Sequence, residues 1–148
     1  MTAKIACKRI SCREVFAHPT LIDAYGKDVN YPDLPGDPDE SRYCALEDAG
    51  TMRTLGVFVD GVLAGFASYF VYSIPHFKDR TLSTCESIYV EPAYRSKGAG
   101  AALIRALLKA AKADGAYGIY LGARVGTDAA RVFERIATPM NVLFWRKL

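Results

Sequence analysis

The chain reads as an α+β protein, a mixed and mostly antiparallel sheet with helices on both faces. Three observations predict this. Extended runs rich in β-branched and aromatic residues alternate with helical-period runs along the whole chain. Asp60-Gly61 separates two such extended runs, and Asp-Gly supplies the positive φ angles that a two-residue hairpin turn requires. A strand ending at Val90 passes through a glycine-containing turn into an Ala/Leu-rich helix and on to another strand. Such a unit is expected to be parallel and right-handed.

Each element follows from its own residues. Residues 4–10 alternate well enough for a first strand. Ser11 is a suitable cap for a helix over about residues 12–25. Residues 26–39 carry four acidic residues, three prolines and two glycines, so they form a long irregular loop. Loops of that length in small folds are often functional. A short helix is predicted over residues 40–49. Residues 54–59 and 62–72 are the hairpin strands, and Pro75 ends the second. Residues 82–90 form the next strand, which Glu91-Pro92 stops. Residues 98–113 give the clearest helix: Arg105, Lys109 and Lys112 make one wet stripe, and leucines and alanines cover the rest. Asp114-Gly115 ends it. Residues 117–123 have few polar side chains and predict a central strand. Thr127 or Asp128 caps a second helix to about Ala137, which Thr138-Pro139 terminates, and residues 141–146 predict a last strand. No repeat, low-complexity segment or linker interrupts the chain, so residues 1–148 are expected to be a single domain.

Composition narrows the function classes. Of 148 residues, 51% are hydrophobic and 24% charged, as in an ordinary globular protein able to bury its own core. The net charge of +3 is small and the basic residues are scattered, which argues against a nucleic-acid partner. The four cysteines, Cys7, Cys12, Cys44 and Cys85, form no Cys-x-x-Cys pair, and His18 and His76 each stand alone beside a proline. Neither a metal site nor a disulfide framework is expected. Residues 1–10 hold no apolar run of signal-peptide length. The longest uncharged run, residues 61–77, is broken by Gly65, Ser68, Ser73 and Pro75 and is too short for a membrane span. A reduced, cytoplasmic protein is the expectation.

Chemistry concentrates in residues 87–100. A strand, Ser87-Ile88-Tyr89-Val90, runs into Glu91-Pro92-Ala93-Tyr94 and then Arg95-Ser96-Lys97-Gly98-Ala99-Gly100 at the start of the Ala/Leu helix. Backbone N–H groups in such a turn, together with the positive end of a helix, make an anion site. Gly98 and Gly100 carry no side chains to block a ligand, and Arg95 and Lys97 add positive charge. A Gly-x-Gly pair alone only permits a turn; with the strand, Pro92, Arg95 and the helix, it points to a diphosphate. Two other phosphate loops do not fit. The P-loop spacing is absent, and the dinucleotide pattern fails because Leu103 stands where a third glycine is needed.

Residues 81–138 resemble the GNAT superfamily of N-acetyltransferases, with looser agreement in strand order before them. The segment from Glu86 to Arg95 is similar to its small polyamine-type members. The resemblance implies a GNAT-like acyl-CoA N-acyltransferase fold and acetyl-CoA as co-substrate. It implies that Ile88, Tyr89 and Val90 hold the pantetheine arm through their backbones. Arg95, Ser96, Lys97, Gly98, Ala99 and Gly100 would hold the pyrophosphate. Glu86 matches a family position often proposed as the general base; a structural carboxylate or an anchor for substrate charge is an equal alternative. Glu86 and Ile88 are two residues apart on one strand and are expected on one face. The second helix departs from the family pattern. Gly126 replaces an Asn, and Phe133 replaces the Tyr that often protonates the departing thiolate.

The reaction implied is direct attack of a primary amine on acetyl-CoA in a ternary complex. The acceptor pocket is expected among the first helices, the 26–40 loop, the region of residues 69–77 and the last strand. Tyr25, Tyr31, Tyr69, Tyr72, Phe77 and Trp145 are candidate lining residues. Asp28, Asp33, Asp37, Asp39 and Glu40 make the loop acidic and suggest a cationic acceptor, a small-molecule or protein amine. The alternative is a catalytically silent acyl-CoA-binding module, a sensor or partner subunit. A homodimer paired through C-terminal strands is also implied by the resemblance.

Overall fold

The computed structural model describes residues 2–148. One five-stranded sheet holds β1 (Ile5–Ile10), β2 (Met52–Val59), β3 (Val62–Ser73), β4 (Thr81–Val90) and β5 (Gly118–Tyr120), in that spatial order. The first four strands are antiparallel neighbours, and β5 runs parallel to β4. The hairpin forms as expected: Asp60 and Gly61 take φ of 50° and 85°.

The helices are α1 (Cys12–Phe16), α2 (Pro19–Asp28), α3 (Glu40–Asp48), α4 (Pro92–Arg95), α5 (Ala99–Ala113) and α6 (Asp128–Ile136). They divide between the two faces of the sheet. On one side α5 buries Ala99, Leu103, Leu107 and Ala111 against Leu55, Val57, Val59, Ala67 and Val90. On the other, Val15 of α1 and Leu21 and Tyr25 of α2 pack on Leu63, Phe66 and Tyr89. β2 and β3, covered on both faces, read as apolar runs for that reason.

Four local expectations are corrected. The helix expected over residues 12–25 is two helices, because Pro19 excludes the α region for the residue before it; His18 sits at φ −112°, ψ 80°. Ser11 still caps the first, with Glu14 completing a reciprocal capping box. The turn before the glycines contains a short helix, α4, started by Pro92 at a position where a missing N–H does no harm. β5 is an edge strand of three residues rather than a central one, paired only through Leu82, Ser83 and Thr84. Residues 141–146 form no strand. Leu143 is 98% exposed and Phe144 87%, so the segment has β-propensity without a partner to pair with. Among the described residues no helix is long and apolar enough to cross a membrane.

The expected loop is shorter than 26–39, because residues 26–28 continue α2, and residues 29–39 are tightly built. Tyr31 and Leu34 exchange backbone hydrogen bonds at 3.0 and 3.1 Å, and the Gly36 amide donates to Asn30 Oδ1 at 3.1 Å. Gly36 lies directly on α2. A Cβ there would stand 2.1 Å from the Gly26 carbonyl oxygen, so only glycine lets the loop approach this closely. Asp37, Pro38 and Asp39 are thereby delivered to the mouth of a cavity, and Asp39 caps α3.

Candidate active site

The site begins with a fault in the sheet. β3 and β4 pair Tyr69 with Cys85 and Ser68 with Ser87, leaving Glu86 with no opposite residue. A bulge of this kind re-aims side chains. Glu86 turns toward α3, where both carboxylate oxygens accept from the Tyr43 hydroxyl, at 3.0 and 2.9 Å. Ile88, two residues on, packs with the α5 cluster on the opposite face. The expectation that Glu86 and Ile88 share a face is therefore overturned, because the bulge resets the alternation between them.

Glu86 borders a cavity of about 320 Å³. Tyr25 of α2, Tyr43 and Leu46 of α3, Met52 of β2 and Phe70 of β3 give it an aromatic and aliphatic wall. Asp37, Asp39 and Glu86 against the single Arg42 leave its charged lining net negative. Asp39 is held below the usual carboxylate range, first by the Ser41 hydroxyl and then by the Arg42 amide, both donating to it. Burial, and then the charge of Glu86, push Tyr25 up to about 12. The same causes, in the same order, raise Tyr43 further. Both phenols therefore keep their protons near neutral pH, and Tyr43 is a standing donor to Glu86.

Of the aromatic candidates, only Tyr25 lines this cavity. Tyr31 lies beneath the Arg124 guanidinium, 4.2 Å away. Tyr69 is buried and bonded to Asp114 and Arg9 at 2.7 Å each. Tyr72 is bonded to Thr84, while Phe77 and Trp145 are 45% and 62% exposed. Sequence reasoning missed Tyr43, Arg42 and Phe70. The sequence offered the helix α3 after an acidic loop, but nothing in it ties Tyr43 to Glu86, 43 positions away.

The other half of the site lies along β4. Its β5-side edge is paired only as far as Thr84, so from Cys85 to Val90 the strand has a partner on the β3 side alone. Buried Tyr89 faces α2, and Val90 faces α5. The corner after Val90 is clasped by Arg95, whose Nε donates to the Val90 carbonyl at 2.7 Å and whose guanidinium lies over the Tyr89 ring. Lys97 stands over the Tyr94 ring, and its amide is spent on the Tyr94 carbonyl at 3.1 Å. Gly98 then takes φ 86°, a left-handed conformation that turns the chain into α5. Ala99 is buried under the sheet, whereas a side chain at Gly100 would meet no protein atom within 4 Å. The amides at the start of α5 have no partner within the helix and point out of its positive end. Ser96 is exposed on the turn between them.

A strand that forks from its neighbour, followed by a glycine turn at a helix start, matches a known acyl-transfer architecture. The sequence model of the acetyltransferase (GNAT) family matches residues 18–137. The chain belongs to the GNAT acetyltransferase family. It is an acetyl-CoA-dependent N-acetyltransferase. Among solved structures, a ribosomal-protein-alanine N-acetyltransferase from Brucella melitensis biovar Abortus 2308 is similar at 24% identity. The match covers 98% of this chain and 97% of that one, with a TM-score of 0.79. An aminoglycoside acetyltransferase from an uncultured soil metagenomic sample is similar at 21% identity, with 98% of each chain covered and a TM-score of 0.76. The aminoglycoside N-acetyltransferase AAC(6')-Iy, in complex with CoA, is similar at 17% identity, covering 99% of this chain and 97% of that one with a TM-score of 0.70. These likenesses establish the GNAT fold. A sequence search of curated proteins finds no match. Gly126 takes φ 80° and carries no side chain, and Phe133 is a buried ring with no proton to donate.

Proposed function

We propose that this enzyme acetylates the primary amine of a cationic acceptor seated in the cavity between α2, α3 and β4. The observation that carries the reading is the position of Glu86. It borders the acidic cavity and stands two residues past the point where β4 loses its β5 partner. On one side the cavity admits an amine; on the other, the free β4 edge suits an extended pantetheine arm, which would pair as an added strand with Ile88, Tyr89 and Val90. The outward amides of Gly98, Ala99 and Gly100 suit the pyrophosphate, with Ser96, Lys97 and Arg95 beside them.

Bound acetyl-CoA supplies the activated acyl group; the chain's own groups do the rest. Glu86 accepts the ammonium proton of the acceptor, directly or through water, while Tyr43 fixes both of its oxygens. Asp37 and Asp39 attract the cation at the mouth. A backbone N–H in the 88–90 stretch polarises the acyl oxygen. Phe133 cannot donate a proton, so the departing thiolate is protonated by another group or by water, or leaves unprotonated. The enzyme acts as one domain and pairs as a homodimer through its exposed C-terminal segment, where Leu143, Phe144 and Trp145 lie bare.

The test is release of CoA thiol from acetyl-CoA across amines of graded charge. Diamines and other cationic amines should turn over with the lowest KM. A preference for amines bearing a net negative charge would contradict the reading, and no thiol release with any amine would favour a silent binding module.

A further inference from the structure

Behind the cavity wall, α1 and α3 bring two thiols together. Cys12 opens α1, Cys44 lies within α3, and their sulfurs are 3.6 Å apart across 32 positions of sequence. Nothing in the proposed transfer uses either. The two helices are already clamped around them. Glu47 accepts from the Ser11 hydroxyl at 2.6 Å and from the Cys12 amide at 2.8 Å, and Arg13 forms a paired bridge to Asp48 at 3.0 and 2.7 Å. A disulfide needs its sulfurs at about 2.05 Å, so the two must draw together by roughly 1.5 Å. Cys12 is 1% exposed and Cys44 half-buried, so a small oxidant meets Cys44 first. Burial, and then the hydrogen bond with Cys44, push the Cys12 thiol up to about 12, which agrees with that order. Cys7 and Cys85 pack on the α5 face of the sheet, away from this pair.

We propose that Cys12 and Cys44 are a dithiol–disulfide modification site, closed by a small peroxide such as hydrogen peroxide, that locks α1 to α3. The Cys44 thiolate attacks a peroxide oxygen, the O–O bond breaks, and the leaving hydroxide is protonated to water, giving a sulfenic acid. Cys12, its proton passed to solvent, attacks the Cys44 sulfur. The S–O bond breaks and a second hydroxide leaves as water. Two thiols lose two electrons and two protons, and the peroxide becomes two waters. Tyr43 directly precedes Cys44, so drawing α3 toward α1 shifts the phenol that holds Glu86 and slows acetyl transfer. That last consequence, unlike the disulfide, rests on the proposed function.

The experiment treats the folded chain with a few-fold excess of hydrogen peroxide, then alkylates it in denaturant and measures mass. The expected result is a single intramolecular disulfide, two alkylated thiols of the four, and a crosslinked peptide pair containing Cys12 and Cys44. The melting temperature should rise by roughly 5–10 °C and return with dithiothreitol. Cys44→Ser should abolish the crosslink, and Cys85→Ser should leave it intact. Four alkylated thiols, a disulfide between chains, or oxidation confined to Cys7 or Cys85 would overturn the proposal. If the crosslink forms and transfer is unchanged, the link to Tyr43 is wrong while the site stands. If reduced protein transfers no acetyl group at all, the fault lies with the proposed function, and the mass result still decides the disulfide.

Discussion

Glu86 is the residue on which most turns. Removing a positioned general base typically costs 10²–10⁴ in rate. Glu86→Gln is therefore expected to lower kcat by about 10² or more while leaving CoA affinity within about twofold; full turnover in the variant would return Glu86 to a structural role. Tyr43→Phe keeps the ring packed near Phe16, 5.5 Å away, but removes the hydroxyl that both Glu86 oxygens accept. A loss of about tenfold in kcat, with a shifted pH–rate profile and little change in melting temperature, is predicted, since a merely structural phenol would move stability instead. The residue identities at this site were legible only in part. Glu86 stood out by its place before Ile88-Tyr89-Val90, but the direction of its side chain depends on a bulge, and a register shift leaves no mark in composition. Tyr43 was invisible because its partner lies 43 positions away.

Among the elements, the turn into α5 and the α2–α3 loop position everything else. Gly98→Ala places a side chain at φ 86°, which costs about 1 kcal/mol and displaces the first α5 amides. Its expected readout is a several-fold rise in KM for acetyl-CoA with kcat nearly unchanged. Gly36→Ala forces a Cβ to 2.1 Å from the Gly26 oxygen, and should lower the melting temperature by roughly 4–8 °C, corresponding to about 2 kcal/mol. The strands and caps that depend on neighbours in sequence were readable: the Asp60-Gly61 hairpin, the Ser11 cap and the α5 stripe all formed. The elements that depend on distant partners were not. β5 stops at Tyr120, where its pairing with β4 ends at Thr84, just before the β4 bulge at Glu86, and residues 141–146 stay unpaired because β-propensity without an adjacent edge makes no strand.

At the scale of the molecule, one polar knot ties the sheet to its covering helix. Asp114, at the end of α5, accepts from Arg9 of β1 at 2.8 Å and Tyr69 of β3 at 2.7 Å, and pairs with Arg53 of β2 at 3.2 Å. Burial alone would raise this carboxyl, but the Tyr69 and Arg9 hydrogen bonds and the two guanidinium charges outweigh it and hold it below the usual value. A carboxyl lowered in the folded state adds stability that is complete above about pH 5. That stability is lost as pH falls through the unfolded value near 3.9 and then the lower folded one. Asp114→Asn should flatten the acid limb of a melting-temperature profile between about pH 5 and 2; an unchanged acid limb would show that other carboxylates govern it. The most direct measurement of the whole account is amide NMR of the labelled chain titrated with CoA. The account predicts that the amides of residues 88–90 and 98–101 shift together and saturably, and those lining the Asp37–Tyr43 side of the cavity far less. Shifts centred on the cavity, with residues 88–90 and 98–101 unmoved, would contradict it.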